Sequence, residues 1–143
     1  FSACFAERKL IMNFPRPKPT ITHDNAAFWD GCTQHKLLIQ KCNDCGRLQH
    51  PPRPICSECH SLDQGHIEAS GKGTVHSYMI GERSIHPLFP PGYNMVLVDL
   101  EEGVRIVSTV VDIDPDELDF GMAVTLDFID EDEEFSLPIF RKA

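Results

Sequence analysis

The stretch KCNDCGRLQHPPRPICSECHS, residues 41–61, holds four of the chain's six cysteines in two C-x-x-C pairs ten residues apart. A thioredoxin-type redox site needs one such pair opening a helix within a βαβ unit, and neither pair lies in that pattern. Two pairs together suit a tetrahedral metal, each tight knuckle supplying two thiolates. Gly46 directly follows the first pair, where a residue with positive φ lets backbone N–H groups point at sulfur. His60 holds the equivalent place after the second pair and is read as a turn residue, because four cysteines already complete the shell. The expected ion is a structural zinc held by Cys42, Cys45, Cys56 and Cys59. Iron is the other metal that four thiolates hold. A fourth protein ligand leaves no open coordination position, so this metal is not expected to be catalytic.

Working outward, 143 residues suit one ordinary domain or a small module joined to a larger one. A hydrophobic share of 41% and a charged share of 24% are those of a soluble globular protein. No apolar run approaches the roughly 18 residues of a membrane span, and no signal-peptide pattern opens the chain. A reducing cytoplasm is therefore the expected address, which disfavours disulfides and leaves Cys4 and Cys32 as free thiols. The chain opens at Phe1, and Met12 is read as a truer start, with residues 1–11 ahead of it. The net charge of −9 is concentrated after residue 98, where acidic residues far outnumber basic ones. Such a surface repels a phosphate backbone and counts against nucleic acid as the ligand.

Residues 1–22 include FPRPKPT and read as an extended Pro-rich arm. Residues 23–66 read as a helix plus the metal module, with Asp24 as N-cap ahead of Phe28 and Trp29, and KLLIQK as a strand into the first knuckle. Residues 67–143 read as β. GKGTVHSYMIG alternates Val75, Ser77 and Met79 against Thr74, His76 and Tyr78. NMVLVDLEEGVRIVSTVVDI is a hairpin about Glu102–Gly103, DPDEL a brief helical turn, and MAVTLDFI and FSLPIF two more strands. Five strands suit a small Greek-key barrel of the OB type, with a sandwich or an SH3-like barrel as alternatives.

Taken in order, FWDG, LLIQKCNDCGRLQHPPRPICSECHS, ASGKGTVHSY, LVDLEEGVRIVS and LPIFRKA resemble the acyl-CoA-associated family called domain of unknown function thirty-five. The resemblance covers residues 25–143 and departs at His60, where the family usually has Gly. It implies a mainly β protein: an N-terminal helix and rubredoxin-like zinc ribbon followed by a five-stranded OB-fold barrel. It also implies an obligate partner from the thiolase superfamily (a thiolase, a hydroxymethylglutaryl-CoA synthase or an aldolase). That partner would supply the catalytic residues, and this chain would complete the acyl-CoA site.

The residues agree with a non-catalytic role. Nucleophilic catalysis needs a positioned base and an oxyanion site, and neither accompanies Cys4 or Cys32. His50, His60 and His66 fall in the metal module and His76 and His86 near the first barrel strand, all read as surface or turn residues. The run DEDEE at 130–134 reads as a solvated turn. Lys41, Arg47 and Arg53 are candidates for the phosphates of CoA, because a guanidinium grips such groups bidentately. SIHPLFPPGY, residues 84–93, carries Phe89 and Tyr93 among prolines. With Phe28 and Trp29 these are candidates for a partner interface. Three functions remain open at this point: an accessory subunit of a thiolase-like enzyme, a single-stranded nucleic-acid binder, and a free-standing acyl-CoA carrier or hydrolase.

Overall fold

The computed structural model describes residues 17–87 and 89–143. Most of the Pro-rich arm, together with Cys4, lies outside the described residues. Helix α1, the first among the described residues, spans Ala26–Thr33 and begins one residue later than Asp24 would have it, with Asn25 at the N-cap. Asn25 wins because its side chain is engaged upstream: its Oδ1 accepts from the Thr22 N–H at 2.7 Å and its Nδ2 donates to the Thr20 carbonyl at 3.1 Å. That wrap closes the approach to the helix and points Phe28 and Cys32 into the core.

Two sheets follow. The first has strand order β2-β1-β3, built from β1 (Leu38–Cys42), β2 (Leu48–Gln49) and β3 (Gln64–Glu68), all antiparallel. The third of these, not foreseen in the sequence, pairs with β1 along its whole length and carries the chain onward into the second sheet. The second sheet contains β4 (Lys72–Ile80), β5 (Asn94–Leu100), β6 (Arg105–Ser108), β7 (Ala123–Asp130) and β8 (Ser136–Lys142). Its order is β6-β5-β4-β7-β8, and a single 3-10 turn at Pro115–Glu117 separates β6 from β7.

The edges of this second sheet curl toward each other and meet in parallel, Val110 bridging to Phe140. The Val111 N–H donates to the Phe140 carbonyl and the Phe140 N–H to the Thr109 carbonyl, both at 3.0 Å. A third-to-fifth-strand parallel contact of this kind closes an OB barrel and removes the sandwich and SH3-like alternatives. The closure is short, and Pro138 explains why. Residues two apart on a strand turn their main-chain groups the same way. Pro138 therefore faces the seam as Phe140 does, but it has no N–H to give. Only its carbonyl is used there, accepting from the Ser108 hydroxyl at 3.1 Å. Beyond that point the seam stays open.

The alternation expected along β4 breaks at a bulge between Val75 and Ser77. His76 is the extra residue, so the faces exchange: Val75 is buried, whereas Met79 points outward and Tyr78 packs inward. The core is continuous between the two sheets. Phe28, Cys32, Leu37 and Ile39 from the first unit cluster with Val75, Val96, Val98, Ile106, Val124 and Phe140 of the barrel.

Candidate metal centre and adjoining groove

The two knuckles are built alike. The Gly46 N–H returns to the Cys42 carbonyl at 2.9 Å, and the His60 N–H to the Cys56 carbonyl at 3.0 Å. Both turn residues adopt the left-handed region, Gly46 with φ 77° and His60 with φ 61°. His60 thus does the turn work expected of it and is not part of the ligand cluster. The Cys42 N–H then takes the Arg47 carbonyl and the Cys56 N–H the Ser61 carbonyl, each at 2.9 Å.

This mirror arrangement brings the four sulfurs of Cys42, Cys45, Cys56 and Cys59 within 4.8 Å of one another. Cys42 and Cys59 are 3.5 Å apart, Cys45 and Cys56 3.6 Å. A tetrahedral ion with Zn–S bonds of about 2.3 Å sets its ligands about 3.8 Å apart, so the cage has the right size. Its charge requires a cation too. Backbone N–H groups, that of Cys45 foremost, hold the Cys42 thiol down to about 6, and those of Cys59 and Glu58 lower Cys56. The Ser61 N–H favours the Cys59 thiolate, yet burial and the neighbouring sulfurs push that thiol up to about 12. Four thiolates this close do not ionise together unless a cation sits among them. The donor set fits zinc, and all four positions are filled by protein.

Next to the ribbon lies an apolar groove of about 440 Å³, set in the open seam of the barrel. Phe28, Trp29, Phe89 and Tyr93, expected from sequence to share one surface, all line it. Met95 from β5, Ile106 and Val107 from β6, and Leu137 and Pro138 from β8 complete most of the wall. Phe89 and Tyr93 are 5.7 Å apart between ring centres, so the 84–93 loop presents them as a pair. Gly81 permits this: a Cβ there would fall 2.0 Å from the Tyr93 ring. Asn94, silent in the sequence, ties the groove to the barrel closure. Its Oδ1 accepts from the Val110 N–H and the Thr109 hydroxyl, both at 2.9 Å, and its Nδ2 donates to the Val110 carbonyl at 2.8 Å.

A second, polar pocket of about 380 Å³ is lined by Arg47, Arg53, Arg105, Gln49, Ser57 and neighbouring residues. Arg47 and Arg53 meet as expected, whereas Lys41 is not among the lining residues. Arg105 comes from the barrel and has no sequence signal linking it to the ribbon. Arg47 pairs with Glu58 at 2.9 Å, and Arg105 with Asp99 at 2.6 Å. The main chain of Arg53 is clamped by buried Gln40, whose Oε1 accepts the Arg53 N–H and whose Nε2 donates to the Arg53 carbonyl, both at 2.8 Å. His50 departs from its reading as a surface or turn residue: its ring packs 5.2 Å from Phe28 and it lines both pockets. Burial lowers its pKa, which favours the neutral imidazole.

A zinc-ribbon cage joined through one core to a partly open five-stranded barrel defines a two-part zinc-ribbon/OB-fold protein. Family models agree: residues 29–63 match the "ChsH2, rubredoxin-like zinc ribbon domain" and residues 66–128 the "ChsH2, C-terminal OB-fold domain". The chain belongs to the ChsH2/DUF35 family, as the resemblance implied. It is 36% identical over 102 residues to a DUF35 domain-containing scaffold protein of Methanothermobacter thermautotrophicus, covering 66% of this chain and 73% of that one. It is 44% identical over 128 residues to a probable enoyl-CoA hydratase alpha subunit of Thermomonospora curvata, covering 90% of this chain but only 40% of that protein. The chain thus spans well under half of that hydratase subunit. Among solved structures, the "Ltp2-ChsH2(DUF35) aldolase" superposes with a TM-score of 0.83 at 42% identity, covering 87% of this chain and 98% of that one. No helix among the described residues is long and apolar enough to cross a membrane.

Proposed function

We propose that this chain is a non-catalytic subunit of an acyl-CoA enzyme complex, with a thiolase-superfamily partner of the aldolase type carrying the reacting groups. The observation that carries this reading is the groove. Helix α1, the 84–93 loop and the open seam bring Phe28, Trp29, Phe89 and Tyr93 to one apolar surface. Aromatic anchors on rigid supports are what interfaces and acyl sites use. Support also comes from likeness to a chain of an aldolase complex at 42% identity. The zinc ribbon then acts as a rigid spacer fixing α1 against the barrel, and the partner completes an acyl-CoA site at this face. A second reading sets the same unit beside a hydratase, because one relative is a hydratase alpha subunit.

The test is co-purification of the tagged, zinc-loaded chain with its partner, followed by acyl-CoA turnover assays on each chain alone and on the pair. The expected result is a larger partner with its own catalytic cysteine, no turnover by this chain alone, and activity in the pair. A partner lacking that cysteine and performing hydration would favour the second reading. Turnover by this chain alone would overturn both.

A further inference from the structure

Four consecutive residues, Ile106, Val107, Ser108 and Thr109, line the apolar groove. Successive side chains of a strand point to opposite faces, so a cavity that touches all four runs along the edge of β6 and meets its main chain. Hydrogen bonds at both ends of the strand fix which groups that edge presents. The Val104 carbonyl accepts from the Leu100 N–H, and the Val110 N–H and carbonyl are both taken up by Asn94. Val104, Ile106, Ser108 and Val110 therefore turn their main-chain groups toward β5. The Thr109 carbonyl instead accepts from the Phe140 N–H across the seam. By the same alternation Arg105 and Val107 direct N–H and carbonyl into the open seam, where β6 has no ladder partner. The edge continues into the arginine pocket, which Val104 and Arg105 line together with Arg47 and Arg53. No carboxylate side chain lines either cavity. Glu58 and Asp99 pair with Arg47 and Arg105 from outside, and Arg53 has no ion-pair partner among the described residues.

We propose that the seam edge of β6 takes an extended segment of a protein partner as an added antiparallel strand, with a carboxylate at that segment's C-terminal end held by Arg53 and Arg105. Strand addition draws affinity from main-chain hydrogen bonds and specificity from pockets for alternate side chains. Here Arg105 and Val107 supply the hydrogen bonds, and the groove walled by Phe89, Tyr93 and Met95 receives every second side chain. Antiparallel pairing is the commoner kind, and it runs the added chain from Thr109 toward Arg105, so its C-terminal end arrives at the guanidiniums. Charge complementarity selects the occupant. In a second copy of this chain β6 brings another Arg105 and no carboxylate, which leaves the pocket unmatched. A purely apolar ligand leaves the main-chain groups of the edge unpaired. The proposal rests on the reading above that this face meets a protein partner, and it names the part of the partner that the face takes.

Selection of the zinc-loaded full chain against a phage library of random decapeptides with free C-termini tests it. Enriched peptides should carry β-branched or aromatic residues at alternate positions and a carboxylate at the C-terminal end. The best of them, labelled at its N-terminus, is then titrated by fluorescence anisotropy. Val107→Pro removes an N–H that faces the seam and leaves the β5 ladder intact, a placement that edge strands tolerate. It should weaken the peptide at least tenfold, whereas Val107→Thr, which keeps the N–H and the branched shape, should change it less than threefold. Arg53→Gln should weaken it at least fivefold, and replacing the peptide's terminal carboxylate with an amide should add no further loss in that variant. N-methylation of the peptide's amides one at a time, read on the unaltered protein, should weaken binding at every second position. Zinc content and circular dichroism check that each variant is folded. No enriched sequence, an N-methyl scan without period two, or full affinity in folded Val107→Pro would each overturn the proposal. A dimer of this chain that Val107→Pro dissociates would overturn it in favour of a second copy. Co-purification with the enzyme partner is read separately, so failure here leaves that result standing.

Discussion

Phe28 and Trp29, adjacent in sequence, meet edge to face with ring centres 5.0 Å apart and planes at 83°. The right angle sends them in different directions. Phe28 packs on His50 of the ribbon at 5.2 Å, and Trp29 on Phe135 of the barrel at 5.4 Å. One turn of helix thereby couples the metal module to the barrel and forms the groove floor between them.

That coupling gives the first prediction. Phe28 is 6% exposed, so Phe28→Ala should lower stability by about 3–5 kcal/mol through lost burial and the cavity left behind. Urea unfolding monitored by circular dichroism measures the change, and zinc content at the start should be unaltered.

The metal centre gives the second. One zinc per chain is expected, and Cys42→Ser or Cys59→Ser should abolish it and unfold the ribbon. Zinc binding at four-thiolate sites contributes on the order of 10–16 kcal/mol and is coupled to folding. Elemental analysis together with amide hydrogen exchange over residues 38–68 checks both parts.

Gly81 gives the third. A Cβ at this position collides with Tyr93 ring carbons at 2.0 and 2.2 Å, which a stiff aromatic ring cannot avoid by a small shift. Gly81→Ala should expel Tyr93 from the groove wall and cost about 1–3 kcal/mol. It should also weaken whatever binds the groove, whereas Gly103→Ala, with open space around its Cβ, should leave groove binding intact.

The barrel's ion pairs give the fourth. Asp127 is held below the usual carboxylate range, chiefly by Arg141, whose Nε donates at 2.5 Å, and Asp99 likewise by Arg105. Their folded pKa values lie below the unfolded ones. The stability they add is therefore complete above the unfolded value, about pH 4, and is lost as pH falls through the folded value. Arg141→Gln should raise the Asp127 pKa toward its ordinary value, read by carboxyl-carbon NMR titration, and should flatten the acid limb of the stability curve. Both pairs are solvent-exposed, so the effect on stability at neutral pH should be small.

Cys32 gives the fifth. Burial pushes its thiol up to about 12 and the side chain has no exposed surface. Alkylation mapped by mass spectrometry should find Cys32 unmodified in the native protein and modified only after denaturation.

The sequence by itself determined the metal cage, the five strands of the barrel and the hairpin at Gly103, because each depends on residues close along the chain. Cysteine spacing and left-handed turn residues are local constraints, and they survive folding unchanged. It also named the four aromatic residues of the groove, since large rings beside prolines and on an apolar helix face carry their own signal. Other features were decided only in three dimensions. The bulge at His76 reverses an alternation that reads cleanly in one dimension, because register depends on the partner strand. Gln40 and Asn94 look like ordinary polar strand residues until their partners 13 and 16 positions away are in place. Arg105 reaches the ribbon arginines, and His50 comes to stand between two cavities, only because one core packs the ribbon against the barrel. Such long-range placements depend on the packing of side chains far apart in the chain, for which a sequence has no local mark.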